Sequence, residues 1–305
     1  MACLDNTLAL TLGNPLAPLA ILSYLNPARG SYTGVAGGKN GNPRPVGQVH
    51  YRAGRRSARL AFLMPERTAR QEDVIALLER LAYEAGGWGA CNVLAEAEEH
   101  SPLFDALRRA GFVVYARQQI WQLEEVKSIG ADRSTDWQPA LSVDEFAIRS
   151  LYQSLIPPLV QSAEAFPETY EQSLVYRHDP DELLAYAQGW FGPRGVYVLP
   201  LFHPGVNDSL ELLAGLVARI APHPSRPLYL AVRSYQAELE SGLEALHASP
   251  GPRQVLMAKY LVNLQRAPAF NPRSSVLEKR RAEPTTPIIS NMAQTPRPGC
   301  HPENN

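Results

Sequence analysis

Two side chains in this sequence are suited to act as a general base. His50 lies in the predicted strand QVHYR, and imidazole titrates near neutral pH. Glu98 belongs to the acidic run AEAEEH at a predicted strand end, where a carboxylate is well placed to act as a general base. A hydrogen-bonded sheet histidine and a solvated strand end are the structural alternatives. The sequence has no Ser-His-Asp, Cys-His, Walker or HExxH arrangement.

A second place for chemistry is PERTARQED, the turn between a predicted strand and a predicted helix. Helix starts bind phosphates because free backbone N–H groups and the helix dipole favour an anion there. Arg67 and Arg70 add positive charge, which makes them cofactor-binding candidates. Phosphate-binding turns usually contain glycine, since it lets the main chain approach the ligand. No glycine lies between Pro65 and Leu81.

The same turn also brings its own negative charge. Glu72 and Asp73 fall in the predicted first helical turn, where carboxylates interact favourably with the helix dipole. Thr68 and Gln71 have the spacing of a capping box, in which side chains satisfy the free donors internally. These four residues favour a self-capped structural helix over an anion-binding site.

A corresponding turn, HPGVNDS, precedes a later predicted helix. Gly205 permits close approach of the main chain to a phosphate, and His203, Asn207 and Ser209 supply polar side chains. All four are cofactor-binding candidates. His203 is either a base or a solvated loop residue, and Asp208 places a carboxylate beside this helix start too.

Composition narrows the class of partner. The 305 residues include 29 Lys and Arg against 30 Asp and Glu, so the chain is not built to neutralise nucleic acid or an anionic membrane. The three cysteines lie far apart, without the spacing of a metal site, which predicts reduced thiols, no metal and a cytoplasmic protein. The apolar stretch LALTLGNPLAPLAILSYL is interrupted by asparagine and proline, so it is neither a signal peptide nor a membrane span.

Two stretches of the chain share one pattern: strand, amphipathic helix, strand, short helix and long strand. The first runs from ARLAFLM to FVVYARQQIWQL, and the second from YVLPLF to RQVLMAKYLV. Residues 61–123 match residues 197–259 at an offset of 136 with ten identities. The shared apolar pattern predicts a duplication of domain size.

Further strand candidates precede each repeat, SYTGVAGG and PVGQVHYR in the first half and LLAYAQGWF in the second. The predicted fold class is α/β of the α+β type, with a mixed, mostly antiparallel sheet flanked by helices in each half. The predicted organisation is a first domain at 5–126, a linker at 127–139, a second domain at 140–265, and a disordered Pro-rich tail at 266–305.

The stretch SPLFDALRRAGF, a short helix leading into Ala-Gly-Phe and a long strand, follows a strand, turn, helix and strand. This order resembles the C-terminal half of the GNAT superfamily of N-acetyltransferases, over about 61–123 and more faintly over 195–264. The duplication resembles tandem members of that superfamily. The resemblance implies two GNAT-like folds, acyl-CoA as cosubstrate in a splayed sheet with its pyrophosphate at a helix start, and direct acyl transfer to an amine.

A further signature of the superfamily is an asparagine at the start of the last helix and a tyrosine four residues before Gly-Phe. That tyrosine protonates the departing thiolate. In this chain the corresponding positions hold, in order, His100, Leu107, Gln236 and Leu243. Leucine cannot donate a proton, so Tyr115 and Tyr235 are the nearest substitutes, unless both are packed aromatic residues.

Two functional hypotheses follow. The first is an acyl-CoA-dependent N-acyltransferase that transfers an acetyl or other acyl group to a small-molecule or peptide amine, with catalytic candidates His50, Glu98, Tyr115 and Tyr235. The second is a non-catalytic binding or assembly module that keeps the fold but has lost the CoA-binding turn and the general acid.

Overall fold

The computed structural model describes residues 1–13, 30–37, 43–65, 69–123, 137–166, 172–179, 182–220 and 226–261. The described elements belong to one compact unit. The predicted tail at 266–305 and residues 127–136 of the predicted linker lie outside the described residues.

The described residues form seven α-helices and two short 3-10 helices. The α-helices are α1 (Asn6–Leu12), α2 (Gln71–Gly87), α3 (Pro102–Arg109), α4 (Glu145–Leu155), α5 (Pro158–Ala163), α6 (Ser209–Ile220) and α7 (Leu239–Ala245). The 3-10 helices are Ser142–Asp144 and Ser234–Gln236.

Twelve strands are found in the described part of the chain. They are β1 (Ala2–Cys3), β2 (Ser31–Val35), β3 (Val46–His50), β4 (Ser57–Met64), β5 (Asn92–Glu98), β6 (Val113–Leu123), β7 (Gln138–Pro139), β8 (Ser173–Asp179), β9 (Glu182–Phe191), β10 (Val196–Phe202), β11 (Leu228–Arg233) and β12 (Ser249–Tyr260).

All twelve strands belong to one sheet. Its order is β2-β3-β4-β5-β12-β6-β11-β10-β9-β8-β7, and β1 pairs with β4 outside this path. The pairs β4–β5 and β10–β11 are parallel, and the other pairs are antiparallel. The prediction of a mixed, mostly antiparallel sheet with helices is therefore confirmed. The strands of both halves form one continuous sheet rather than two separate ones.

The two halves exchange their final strands at the centre of this sheet. Strand β12, the last of the second half, lies between β5 and β6 of the first half, and β6 lies between β12 and β11. Strand β12 pairs with β5 over seven residues, from Gln254↔Glu98 to Tyr260↔Asn92. Each half thus depends on the other for a neighbour of its own strands.

The sequence signals around α3 show why the helix forms there. Ser101 is the N-cap, and its side chain accepts a hydrogen bond from the N–H of Phe104 at 3.2 Å. Pro102 occupies the first helical turn, where its missing N–H has no cost. Gly111 follows the helix with a φ of 85°, a conformation that favours glycine.

Helices cover both faces of the sheet. We call the face covered by α2, α3, α6 and α7 the first face, and the face covered by α1, α4 and α5 the second face. The apolar sides of α2 and α3 pack on β4, β5 and β12, and those of α6 and α7 pack on β6, β10 and β11. On the second face, α4 and α5 pack across β5, β6 and β12.

The second half begins before the end of the predicted linker. Trp137 is buried, and its indole N–H donates to the carbonyl of Leu212 at 3.0 Å. Strand β7 follows at once and pairs with β8. The last three residues assigned to the linker, 137–139, are therefore part of the packed structure.

Candidate functional site

The two parallel strand pairs separate along their length. Strands β4 and β5 pair only from Ser57↔Asn92 to Arg59↔Leu94 and then diverge, although both continue for several residues. Strands β10 and β11 pair in the same way, from Val196↔Leu228 to Val198↔Leu230. Each divergence creates a gap between strand ends, and the main-chain groups that line it need other partners.

The first gap, between β4 and β5, is filled by the N-terminal main chain. Strand β1 pairs with β4 through Cys3↔Phe62. The N–H of Leu4 then donates to the carbonyl of Ala61 at 2.9 Å, and the N–H of Glu96 donates to the carbonyl of Leu4 at 3.0 Å. Residue 4 thus bridges the two diverging strands, so the main-chain groups that make these two hydrogen bonds already have partners within the chain.

In the second gap, between β10 and β11, a side chain takes the place of a neighbouring strand at Phe202. The N–H of Phe202 donates to Oε1 of Gln236 at 2.6 Å, and Nε2 of Gln236 donates to the carbonyl of Phe202 at 3.1 Å. Gln236 is 2% exposed, so it imitates the hydrogen bonding of a neighbouring strand inside the protein. A side chain can rotate away, whereas the main-chain strand in the first gap cannot leave without unfolding the N-terminus.

Beside the second gap, on the second face, lies a group of charged and phenolic side chains. We call it the Glu164 cluster; its members are Glu164, Arg233, Tyr115 and Tyr235. Oε1 of Glu164 accepts a hydrogen bond from the hydroxyl of Tyr115 at 2.6 Å and another from Nη2 of Arg233 at 3.1 Å. The Glu164 and Arg233 side chains are 15% and 6% exposed, so this ion pair lies inside the protein.

The environment separates the protonation behaviour of these groups. Burial raises the pKa of Glu164, but Arg233, Arg59 and the hydrogen bond from Tyr115 outweigh it and hold that pKa below its ordinary value. Burial raises the pKa of Tyr235 to about 12, with Arg233 opposing and Glu164 adding to the rise. At neutral pH, Glu164 is therefore ionised and Tyr235 keeps its proton.

Arg233 is only partly satisfied. Its Nε and Nη1 groups are buried and have no hydrogen-bond partner among the described residues. Buried donors without partners are rare in folded proteins, and where they occur they call for a water, an ion or a ligand group. The Glu164 cluster thus contains free donor capacity beside the second gap.

A cavity of about 500 Å³ opens next to the cluster. It lies between α4, α5, the segment that follows α5, and the loop between β3 and β4. Its lining consists of Gly54, Arg56, Glu145, Arg149, Tyr152, Gln153, Gln161, Ser162, Ala163, Glu164, Ala165 and Phe166. Glu164 belongs to both the cavity wall and the cluster.

A second polar group lies at the centre of the same face. Glu96 accepts hydrogen bonds from the side-chain amides of Asn6 at 2.5 Å and Gln118 at 3.3 Å, and Arg59 lies 3.4 Å from its other oxygen. Burial, with the nearby charge of Asp5, raises the pKa of Glu96 above its ordinary value despite Arg59. This group ties the start of α1 to the central strands, which is a structural role.

The structure unites two of the four predicted catalytic residues. Tyr115 and Tyr235 both belong to the Glu164 cluster. His50 does not; its Nδ1 lies 2.9 Å from Oγ of Ser31 on the neighbouring strand, and burial lowers its pKa although Asp5 opposes this. Glu98 is exposed at the end of β5. His50 and Glu98 thus have the surroundings that the structural alternatives predict.

The start of α2 differs in detail from the predicted cap. The N-cap is Arg70, whose side chain makes no capping hydrogen bond, and Gln71 is the first helical residue rather than the third, which the predicted capping box requires. Arg70 instead pairs with Glu72 at 2.9 Å. Thr68 and the cofactor-binding candidate Arg67 lie outside the described residues.

The start of α6 carries a carboxylate cap. Oδ1 of Asp208 accepts a hydrogen bond from the N–H of Glu211 at 2.8 Å, so a free donor of the helix is already satisfied. His203 accepts a hydrogen bond at Nδ1 from the N–H of Gly205 at 3.0 Å. Ser209 is the first residue of α6, and Asn207 is exposed in the turn. The four candidates thus lie together at one helix start.

Glu164 and Arg233 were not among the predicted site residues. Glu164 follows a short helix in the unremarkable sequence SAEAF, and Arg233 ends a strand. The partners of Glu164, Tyr115 and Arg233, lie 49 and 69 residues away along the chain, so no local spacing signals the cluster.

No group of three or more His, Cys, Asp or Glu suited to a metal ion occurs within the described ranges. Within those ranges, no helix is long and apolar enough to cross a membrane.

No protein-family model and no curated protein matches this sequence. Among solved structures, a GCN5-related N-acetyltransferase from Kribbella flavida matches with a TM-score of 0.51 and 16% identity, over 81% of this chain and 95% of that one. A GCN5-related N-acetyltransferase from Sphaerobacter thermophilus has a TM-score of 0.43 and 12% identity over 71% and 76% of the two chains. A tandem GNAT protein from the clavulanic acid biosynthesis pathway has a TM-score of 0.43 and 16% identity over 76% and 83%. The Kribbella match extends over most of both chains, and this chain therefore has the GNAT fold.

Proposed function

We propose that this protein is an acyl-CoA-dependent N-acyltransferase whose working site lies in its second half. The observation that carries the proposal is the difference between the two gaps. Main chain bridges the gap between β4 and β5, whereas the Gln236 side chain takes up the main-chain groups of Phe202 in the gap between β10 and β11. Of these two gaps, the second can open at Phe202 by rotation of one side chain, and it borders the Glu164 cluster.

The proposed organisation is a tandem of two GNAT-like halves, of which the first is structural. Support comes from the matching order of elements in the two halves and from the divergent parallel strands in each. The exchange of β6 and β12 makes the first half a necessary support for the second. A second half alone would lack the strand that separates β11 from β12.

The residues at 203–209 would hold the cosubstrate. The glycine at 205 lets the main chain approach a pyrophosphate at the start of α6 once His203, which now accepts the Gly205 N–H, moves aside, and Ser209 offers a hydroxyl. On binding, either the hydrogen bond from the N–H of Glu211 to Asp208 breaks, or the pyrophosphate lies beside the Asp208 carboxylate. An acyl-CoA, when bound, supplies an activated acyl thioester for attack by an amine.

The Glu164 cluster would hold the amine. Glu164 is ionised at neutral pH and accepts N–H groups, but its low pKa makes it a poor proton acceptor, so it fits ammonium binding better than proton removal. The ammonium would lose a proton to water before the amine attacks the acyl carbon, and Tyr235, which keeps its proton at neutral pH, would protonate the CoA thiolate that leaves. The free donors on Arg233 are suited to a carbonyl or carboxylate oxygen.

One set of observations favours the non-catalytic alternative. Gln236 satisfies both main-chain groups of Phe202 in the second gap, and Asp208 caps α6. With both gaps closed by the chain itself, the fold could act as a binding or assembly module. Acyl-CoA binding separates the two functions.

The test is calorimetric titration of the full chain with acetyl-CoA and with CoA. We expect saturable binding that is weakened by Gly205→Trp, which crowds the start of α6. Arg70→Ala, at the start of α2, is the matched variant and should bind as the wild type does. Absence of binding at millimolar ligand would contradict the acyltransferase and favour the module. Loss of binding in Arg70→Ala but not in Gly205→Trp would place the site in the first half.

A further inference from the structure

The cavity on the second face has walls from two separate parts of the chain. One wall is α4, α5 and the segment ending at Phe166, and the other is the loop that carries Gly54 and Arg56. Hydrogen bonds hold the two walls together, since Oγ of Ser57 and Nδ2 of Asn92 both donate to the carbonyl of Ala163, at 2.9 and 3.0 Å. The volume of about 500 Å³ is that of a site for a small molecule.

One carboxylate oxygen in this cavity wall accepts no hydrogen bond from the described residues. Both hydrogen bonds that Glu164 receives from the described residues, from Tyr115 and Arg233, end on Oε1. Oε2 receives none within the described part of the chain. The carboxylate is ionised at neutral pH because Arg233 and Arg59 outweigh the effect of its burial. A free oxygen of an ionised carboxylate is a strong acceptor for an ammonium group.

A guanidinium on the other wall also has no ion-pair partner among the described residues. The Arg56 side chain is exposed and forms no ion pair with any described residue, while its carbonyl is fixed by a hydrogen bond from the N–H of Cys91 at 2.7 Å. The other cavity arginine, Arg149, pairs with Glu145 at 2.9 Å and lies 4.3 Å above the ring of Phe166. Arg56 therefore carries the positive charge that remains uncompensated in the described cavity wall.

We propose that this cavity binds a small amine that also carries a carboxylate, with the ammonium on Glu164 and the carboxylate on Arg56. The rings of Tyr152 and Phe166 pack edge to face with their centroids 5.1 Å apart, and they give the stem of such a ligand an apolar wall. A simple amine would leave Arg56 unpaired, and a simple acid would leave Glu164 unpaired. The inference rests on the proposed function in one respect, because it names the class of acceptor for that acyl transfer.

The test measures binding without any acyl-CoA, so that it does not depend on catalysis. The probes are norleucine and 6-aminohexanoate, two isomers that carry both groups at different separations. Pentylamine is what either isomer becomes without its carboxylate, and hexanoate is what either becomes without its amine. Titration of the full chain, followed by calorimetry or NMR, gives the four dissociation constants.

We expect at least one isomer to bind about tenfold or more tightly than pentylamine and hexanoate, because one extra charge-assisted hydrogen bond contributes at least that factor. Arg56→Gln should reduce the affinity for this isomer to that for pentylamine and leave the affinity for pentylamine unchanged. The matched variant is Arg52→Gln, which changes an exposed arginine of the same loop outside the cavity lining. Glu164→Gln should weaken the binding of the three probes that carry an amine and leave the binding of hexanoate unchanged.

Two results would overturn the inference. One is that neither isomer binds more tightly than the singly charged probes. The other is that Arg56→Gln leaves the affinity for the preferred isomer unchanged. Because Arg56 is exposed, this variant should fold as the wild type does. If the isomer binds but acetyl-CoA does not, the cavity assignment stands and the acyltransferase proposal fails. If acetyl-CoA binds but neither isomer does, the cavity assignment fails and the acyltransferase proposal stands.

Discussion

Gln118 and Gln254 lie directly opposite each other on the two central strands, and Nε2 of Gln118 donates to Oε1 of Gln254 at 2.9 Å. They are 136 residues apart, which is the offset of the sequence repeat. In an antiparallel pair related by a two-fold axis, equivalent residues face each other across that axis. The contact is thus what the proposed duplication requires at its centre.

The first prediction concerns this central pair. Oε1 of Gln254 also accepts from the side-chain amide of Asn6 at 2.8 Å, so Gln254→Ala removes the acceptor of two amide groups. We expect a loss of about 1 to 3 kcal/mol in the free energy of unfolding. The double variant Gln118→Met with Gln254→Met should cost less, because it buries no unpaired amide on either central strand. Urea denaturation of the three proteins decides this; a larger cost for the double variant would contradict it.

The second prediction concerns the Gln236 bridge. Gln236→Ala leaves the N–H and C=O of Phe202 without their partner, which should destabilise the fold by about 2 kcal/mol. It should also tighten acetyl-CoA binding, because the ligand no longer has to displace the side chain. Gln119→Ala is the matched variant; Gln119 donates to the carbonyl of Gly251 at 2.8 Å, away from the gap. Equal acetyl-CoA affinity in all three proteins would show that the gap is not the binding site.

The third prediction is a pH dependence at Glu164. Since its folded pKa lies below the unfolded value, its stabilising contribution is fully present above the unfolded pKa of about 4.3 and is lost as pH falls through the folded pKa. Glu164→Gln leaves Arg233 unpaired in the interior and should cost about 3 kcal/mol at pH 7. The difference from wild type should stay constant down to about pH 5 and shrink below about pH 4.

Two variants make this prediction specific. The double change Glu164→Gln with Arg233→Met removes both charges, so it should be more stable than Glu164→Gln alone at pH 7. Glu145→Gln removes an exposed partner of Arg149 and should change stability by less than about 0.5 kcal/mol at any pH. A Glu164→Gln penalty that grew toward acid pH would mean that the pKa of Glu164 is raised rather than lowered.

Local signals in the sequence determined the elements that could be predicted. Ser101, Pro102 and Gly111 mark both ends of α3 because capping and turn chemistry act within a few residues. Apolar spacing predicts five of the six buried residues of α2, namely Val74, Leu77, Leu78, Leu81 and Ala85. These signals were sufficient for the element types, and with the repeat they led to the fold.

Contacts between distant parts of the chain could not be predicted in this way. Nothing near residue 4 indicates that it bridges β4 and β5, because its partners are Ala61 and Glu96. The position of β12 between β5 and β6 is likewise a matter of topology and not of local pattern. At the candidate site, the resemblance to the superfamily signature suggested Tyr115 and Tyr235, whereas the Glu164–Arg233 pair exists only in the folded chain.

The last prediction concerns the acidic start of α2. Glu72 and Asp73 lie in the first turn, where the helix dipole favours negative charge, and the N-cap Arg70 provides no side-chain cap. Changing both, Glu72→Gln and Asp73→Asn, should therefore destabilise the fold by about 0.3 to 1 kcal/mol for each residue at low salt. Glu72 should contribute near the lower limit because its side chain is 73% exposed. Glu79→Gln, an exposed change in the middle of the same helix, is the control and should have little effect.

The same double variant tests whether the first half can bind CoA. We expect little gain in affinity, because β1 still fills the gap between β4 and β5 and no glycine opens the turn before α2. Denaturation and calorimetric titration of one protein give both answers. A large gain in CoA affinity without loss of stability would mean that the two carboxylates exclude a ligand from a working site, and the first half would then have to be considered catalytic.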